Sequence, residues 1–279
     1  IPTLRTFWIS LFGRDGPYDD LNMFQNLVSD AFVGLNNYLA VFTEDLMLEA
    51  FRNNLMWIVF GSTLSVVFGL LFAVLADRSS FEKVAKSFIF LPMAISFVGA
   101  SVIWNFIYEY RPVGQTQIGL LNAIGDFLGF DPHSWPQWVE IAPWNNLFLI
   151  IIVVWLQTGF AMVLFSAALK GIPEEQLEAG RIDGASEVQI FFNIMVPAIR
   201  GTLITVWTSI VIFTLKIFDV VWVMTGGQFG THVIATQFYR QSFTNRNSGF
   251  GSAIAIVLLI TVIPVMFYNL RQFRDQEAF

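Results

Sequence analysis

The chain has 279 residues, of which 55% are hydrophobic, 16% aromatic and only 13% charged. Soluble domains carry roughly 25% charged residues, so this is the composition of a membrane protein. A net charge of −6 argues against nucleic acid as a partner, and the absence of cysteine rules out disulfides, thiolate nucleophiles and cysteine metal sites.

Residues 1–12, IPTLRTFWISLF, are apolar and aromatic but too short to span a bilayer. They are expected to be the outer end of a first spanning helix whose beginning lies upstream of Ile1. Residues 13–49 are polar and acid-rich, through Asp15, Asp19, Asp20, Asp30, Glu44 and Asp45, and predict an external loop with short interfacial helices. The core, residues 50–279, contains uncut apolar segments at 54–76, 87–108, 146–169, 202–225 and 251–270. Each meets the requirement of about 20 residues for a spanning helix. Pro92 and Pro264 fall inside two of them, where a kink is tolerated if neighbours satisfy the freed carbonyls. Gly61, Ser62, Ser65 and Gly69 give the first segment small residues for close helix packing.

Residues 109–144 read as an external segment in which NAIGDFLGFDPHSWPQW forms a short helix and turns, with Trp135, Trp138 and Trp144 suited to the membrane interface. In the next span Gln157 and Phe160 lie one turn apart near mid-membrane, and an amide there needs a hydrogen-bond partner. Residues 171–197, GIPEEQLEAGRIDGASEVQIFFNIMVP, are charged and lie between two spans. Pro173 suits a first helical turn, and Glu174 and Glu175 follow where the helix dipole favours anions. That helix should end near Gly184 in the left-handed conformation. Ser186 and Gln189 then form a capping box for a second helix, which Pro197 should stop.

In the following span Ile210, Phe213, Thr214 and Ile217 recur at i, i+3, i+4 and i+7 and share one face, with Ser209 at its edge. Two readings stand: a packing face, or a surface for a polyol that exchanges hydrogen bonds with the hydroxyl and covers the ring. Lys216 and Asp219 are charges within the span and are expected to pair at i and i+3, with Lys216 beside a translocation path as the other reading. Residues 226–250, rich in Gly, Asn, Gln and Ser, predict a last external loop.

Lysine and arginine set the orientation. Arg78, Lys83 and Lys86, then Lys170, Arg181 and Arg200, then Arg271 and Arg274, fill alternate connections, which places these and the C-terminus in the cytoplasm. The four lysines follow Glu82, Ala85, Leu169 and Leu215, so no Gly-Lys phosphate loop exists. There is no Gly-x-Ser-x-Gly elbow and no His-Glu-x-x-His. His133 and His232 lack metal-ligand spacing and read as ordinary loop residues.

The stretch Glu178, Ala179, Gly180, three residues, Gly184, nine residues, Ile194, Val196 and Pro197 resembles the Glu-Ala-Ala-x3-Gly-x9-Ile-x-Leu-Pro motif of membrane subunits of binding-protein-dependent ABC importers. Gly180 replaces the second alanine and Val196 the leucine. Val33-Gly-Leu-Asn-Asn-Tyr38 and Phe218-Asp-Val-Val-Trp-Val-Met-Thr-Gly-Gly227 resemble carbohydrate-uptake permeases, and GLLNAIGDFLG and PWNNLFLIIIVVWLQTGFAMVLFSAALKGIPE are similar to permeases for α-glucosides or glucosylglycerol. The resemblance runs from Val33 to the C-terminal tail.

It implies an all-α membrane protein with a type I ABC importer transmembrane domain, five complete spanning helices plus the end of a truncated first one. It makes 171–197 a cytoplasmic coupling helix in which Glu178, Ala179, Gly180, Asp183, Gly184 and Ala185 meet a groove on the ATPase subunit; an ordinary helical loop is the alternative. It places Gln157, Phe160, Ile210, Phe213, Thr214, Lys216 and Ile217 along the sugar path. The implied partners are a second permease, two ATP-binding subunits that hold ATP and Mg, an extracytoplasmic solute-binding protein and membrane lipid, in the bacterial inner membrane. No cofactor or metal is expected on this chain. Another small polar solute such as glycerol phosphate is the alternative cargo. An ion-coupled secondary transporter would need coupling groups within the spans, where Lys216 and Asp219 stand alone, and no catalytic constellation suggests an intramembrane enzyme.

Overall fold

The computed structural model describes residues 2–112, 114–129 and 137–277. His133 and Trp135 lie outside them. The helices in chain order are α1 Pro2–Ser10, α2 Met23–Leu27, α3 Asn36–Thr43, α4 Asp45–Met56, α5 Thr63–Asp77, α6 Glu82–Phe90, α7 Phe97–Tyr108 and α8 Leu120–Phe127. They continue with α9 Trp144–Lys170, α10 Glu174–Ile182, α11 Glu187–Ile190, α12 Val196–Ala198, α13 Arg200–Leu215, α14 Asp219–Thr225, α15 Ile234–Tyr239 and α16 Ser248–Glu277. π-Helical turns at Trp57–Ser62, Phe191–Met195 and Arg240–Thr244 join α4 to α5, join α11 to α12 and extend α15. Among the described residues the only pairing of extended chain is an isolated bridge between Phe12 and Phe32.

Asp45–Asp77, Trp144–Lys170 and Ser248–Asn269 are each long and apolar enough to cross a bilayer. Two bent pairs, Glu82–Ala94 with Phe97–Tyr108 and Glu187–Ala198 with Arg200–Leu215, raise the number to five if each counts as one span. Leu71, Leu75, Phe106 and Phe267 remain exposed on these helices, as lipid-facing residues do.

The chain divides into two units. The first holds Ile1–Trp57, Phe97–Leu149 and Thr214–Pro264. Its core joins α3, α4, α15 and α16 through Val41, Met47, Ala50, Ile234, Phe250 and Ile254. The second holds Ile58–Ser96, Ile150–Phe213 and Val265–Phe279. Its core joins α5, α9 and α13 through Ala73, Met162, Phe165, Val206 and Ile210. In lipid, helices associate by packing rather than by exclusion of water, so small residues decide where backbones approach. Gly69 is such a point: a Cβ there would stand 2.4 Å from the Ala161 Cβ.

Four sequence expectations are corrected. The span expected at 54–76 begins at Asp45, inside the expected loop, because α4 runs through the π-helical turn into α5 without a break. The span expected at 87–108 is interrupted: Pro92 lies in a 3-10 turn, Leu91–Ala94, and Ile95 is extended at φ −88°, ψ 137°. Pro197 does not stop its helix. It occupies the turn Val196–Ala198, and a bend of 72° falls between Ala198 and Arg200.

The fourth correction is the span expected at 202–225, which stops at Leu215. The Ile217 N–H turns back onto the Thr214 carbonyl at 3.2 Å, and α14 restarts at Asp219. The freed Leu215 carbonyl accepts from Asn54 Nδ2 at 3.1 Å. Lys216 and Asp219 therefore share no helix, and neither belongs to any of the ion pairs among the described residues.

Candidate functional site

The segment 171–197 folds by its own local chemistry. Pro173 is the N-cap of α10, one position earlier than expected, and Glu174 and Glu175 occupy the first turn. At its end Gly184 takes φ +83°. The Gly184 N–H returns to the Arg181 carbonyl and the Ala185 N–H to the Gly180 carbonyl, both at 3.0 Å, which is a Schellman motif. The Ser186–Gln189 capping box then forms in full, with Ser186 N–H to Gln189 Oε1 at 2.7 Å and Gln189 N–H to Ser186 Oγ at 3.3 Å. Gly180 is buried under Ile190 and Ile194.

This helix pair is braced by charge and leaves an apolar surface outward. One oxygen of Glu187 pairs with Arg78 at 2.6 Å and the other with Arg181 at 2.9 Å. The Glu187 carboxylate raises the pKa of Arg181 above its ordinary value, chiefly by hydrogen bonding, so the pair stays charged. Glu178, Ala179, Asp183 and Gly184 are exposed, Ala185 is half-buried, and Gly180 is the buried member of the motif. Beside them Ile182, Val188 and Phe192 are 85%, 66% and 62% exposed. Large apolar residues clustered on a polar connection mark a surface that another molecule covers.

A cavity of about 230 Å³ lies in the second unit, lined by Met93, Gln157, Phe160, Ser209 and Ile210. It brings Gln157 and Phe160 of α9 together with Ile210 of α13. Met93 was not foreseen as a lining residue, and Ser209, expected only at the edge, is part of the wall. The Gln157 amide makes no hydrogen bond among the described residues. Ser209 Oγ donates to the Thr205 carbonyl at 2.8 Å, which leaves its own lone pairs open. One turn earlier on α13, Thr205 Oγ1 is buried without a partner among the described residues. The cavity is smaller than the roughly 300–1,000 Å³ of ordinary ligand clefts. Of the other expected path residues, Thr214 and Ile217 are buried, Phe213 is half-buried, and Lys216 stands exposed at the end of α13; none lines this cavity.

Sequence reasoning missed a buried amide cluster in the first unit. Asn53 Nδ2 donates to the Gly230 and His232 carbonyls, each at 2.8 Å. Asn54 accepts from the Ile234 N–H at 2.8 Å while its Nδ2 holds Leu215. Asn145 reaches the Phe229 carbonyl at 2.7 Å and Asn146 the Gly230 carbonyl at 3.2 Å. The segment expected as an external loop at 226–250 is therefore largely enclosed, with every residue from Thr231 to Gln237 buried. The available signal was the Asn-Asn doublet that heads each of two apolar runs. His232 is among the enclosed residues; burial first, and the Arg240 guanidinium second, lower its pKa to about 4. Trp138 is likewise a packing residue, donating from Nε1 to Asn122 Oδ1 at 3.0 Å.

A chain of this construction, with spanning helices, a cavity of mixed polarity between α9, α13 and the Leu91–Ala94 turn, and a connecting helix pair held by its own caps, is a multi-pass membrane transport subunit. Residues 65–275 match the family of binding-protein-dependent transport system inner membrane components, and the chain belongs to that family. It is 53% identical to the osmoprotective compounds uptake permease protein GgtC of Synechocystis sp., over 99% of this chain and 94% of that protein. It is 48% identical to the alpha-glucoside transport system permease protein AglF of Rhizobium meliloti, over 97% of this chain and 76% of that protein. The fold is similar to a chain of a bacterial ABC transporter that imports alginate, with a TM-score of 0.75 and 19% identity, covering 89% of this chain and 86% of that one. This chain is thus an inner-membrane permease subunit of an ABC importer, and hydrolysis of ATP falls to a separate subunit.

Proposed function

We propose that this permease carries a sugar or glycoside of the α-glucoside or glucosylglycerol type. One observation carries the reading: the unpartnered Gln157 amide, the Ser209 hydroxyl and the Phe160 ring share one cavity. A polar group in a membrane interior is tolerated when it has a hydrogen-bond partner, and a polyol offers several while its apolar face covers the ring. The names of GgtC and AglF support the same class of cargo. Gln157, Phe160 and Ile210 meet the solute with Ser209. Phe213, Thr214, Lys216 and Ile217 continue the path along the same chain, and the enclosed Thr214 and Ile217 meet solute in another state of the transport cycle.

Glu178, Ala179, Asp183, Gly184 and Ala185 form the face that meets the ATPase subunit, with Ile182, Val188 and Phe192 as its apolar anchors and Gly180 beneath it, where its lack of a side chain lets Ile190 and Ile194 close on α10. The partners are a second permease, two ATP-binding subunits holding ATP and Mg, and a solute-binding protein on the outer side. Segment 171–197 and the C-terminus lie in the cytoplasm. Closure of the ATPase dimer on ATP moves the helix pair, and the spans follow.

Uptake into vesicles containing the whole complex, with the binding protein supplied, tests this. ATP-dependent, vanadate-sensitive uptake of α-glucosides or glucosylglycerol is the expected result. Preference for glycerol phosphate would overturn the cargo, and uptake driven by an ion gradient without ATP would overturn the mechanism. The purified chain alone should hydrolyse no ATP.

A further inference from the structure

Two clusters of charge in the second unit meet at consecutive residues, Asp77 and Arg78, where α5 ends. In the inner cluster Asp77 Oδ1 pairs with Lys86 of α6 at 2.5 Å and accepts from Ser166 Oγ of α9 at 2.8 Å. Lys86 also donates to Ser166 Oγ at 2.5 Å and pairs with Glu82 at 2.5 Å, and Glu82 in turn holds Lys170 at the end of α9. Two cations balance two carboxylates. The side chains of Lys86 and Asp77 are only 20% and 16% exposed. In the outer cluster, Glu187 at the start of α11 bridges Arg78 and Arg181 of α10. Arg78 and Glu187 are 50% and 47% exposed.

The two clusters differ in stiffness. An exposed ion pair is held weakly and can turn, whereas an enclosed pair that loses one partner leaves an uncompensated charge. The outer contact can therefore follow the helix pair α10–α11 while the inner one keeps α5, α6 and α9 locked together. The chain itself joins α9 and α13 to that pair. Ile172 and Met195 of the segment also pack against the core that holds Ala73 of α5, and Arg78 is the charged link from the end of α5 to the pair itself.

We infer that the dipeptide Asp77–Arg78 is the joint through which displacement of the 171–197 helix pair is delivered to α5 and α6, with Arg78 and Lys86 as positioning residues. This rests on the importer reading. The joint makes no contact with solute or nucleotide; it sets how much solute moves for each ATP spent.

The test is the ratio of solute transported to ATP hydrolysed by the reconstituted complex with its binding protein. Arg78→Gln changes an exposed residue, so the complex should assemble normally while the ratio falls about threefold or more. Lys86→Met should lower it at least as far, and Asp77→Lys combined with Lys86→Asp should bring it back to within about twofold of the original protein. An unchanged ratio in both Arg78→Gln and Lys86→Met overturns the joint. So does a loss confined to the amount of assembled complex, with the ratio per complex unchanged, because that is what a purely structural role produces. A wild-type complex that moves no solute on ATP instead overturns the importer reading beneath it.

Discussion

Segments 171–197 and 226–250 both connect spans, and both are rich in polar and small residues. Their construction is opposite. The first is held by bonds to near neighbours, the Schellman turn at Gly184 and the Ser186–Gln189 box, and turns Ile182, Val188 and Phe192 outward. The second is held by side chains far away in the chain, with Asn53 bonding residues 177 and 179 positions on, and it encloses Thr231 to Gln237. A segment that folds by itself can keep its surface free for a partner. A segment whose carbonyls are satisfied by distant amides is part of the packed interior.

The sharpest way to break this contrast is at Gly184. A β-branched residue at φ +83° carries a strain of about 1–3 kcal/mol and opens the Schellman turn. Gly184→Val should lower ATP-driven uptake tenfold or more and release the ATPase subunits during purification, while the thermal unfolding of the permease itself changes little. Glu178→Lys, which reverses an exposed charge on the same face, should act in the same direction. Normal uptake and ATPase association in both would make 171–197 an ordinary loop.

Asn53→Leu probes the other segment. It strands the buried His232 carbonyl, at a cost of about 1–3 kcal/mol, and leaves the Gly230 carbonyl with Asn146 alone. The solubilised complex should unfold at a distinctly lower temperature, and the ATPase subunits should still copurify from cells grown in the cold. If stability is unchanged, the amide cluster does not hold 226–250 in place.

Smaller effects are expected along the proposed path, at Gln157 in the cavity and at the enclosed Thr214 beyond it. Gln157→Leu and Thr214→Val, made separately, should each reduce uptake severalfold or shift the preference among glycosides, without reducing the amount of complex. Unchanged kinetics and preference in both would leave the α13 stripe as a packing face.

The smallest effect is a pH dependence in the enclosed segment. The folded pKa of His232, about 4, lies below the ordinary 6.5. The unfolded chain therefore binds the extra proton between these values, and stability falls as pH drops from about 6.5 toward 4. The Arg240 guanidinium donates to Nε2 at 3.1 Å, which requires the neutral ring. His232→Gln should flatten the unfolding temperature of the complex across that window; an equally steep profile in the variant would assign the dependence to other groups.

By itself the sequence determined the class and the local fold of the 171–197 helix pair. Apolar runs of bilayer length mark the spans because a helix satisfies its backbone within the segment. The helix pair at 171–197 was legible for the same reason, since its capping groups lie three residues apart and its turn requires one left-handed residue. Only the tertiary structure decided the rest. The 202–225 run reads as one helix, yet it stops where Asn54, 161 residues away, takes the Leu215 carbonyl. That break separates Lys216 from Asp219, which the spacing had paired. The cavity forms because α9 and α13 pack side by side, so Gln157 and Phe160 find Ser209 and Ile210, a meeting that no periodicity within either helix encodes.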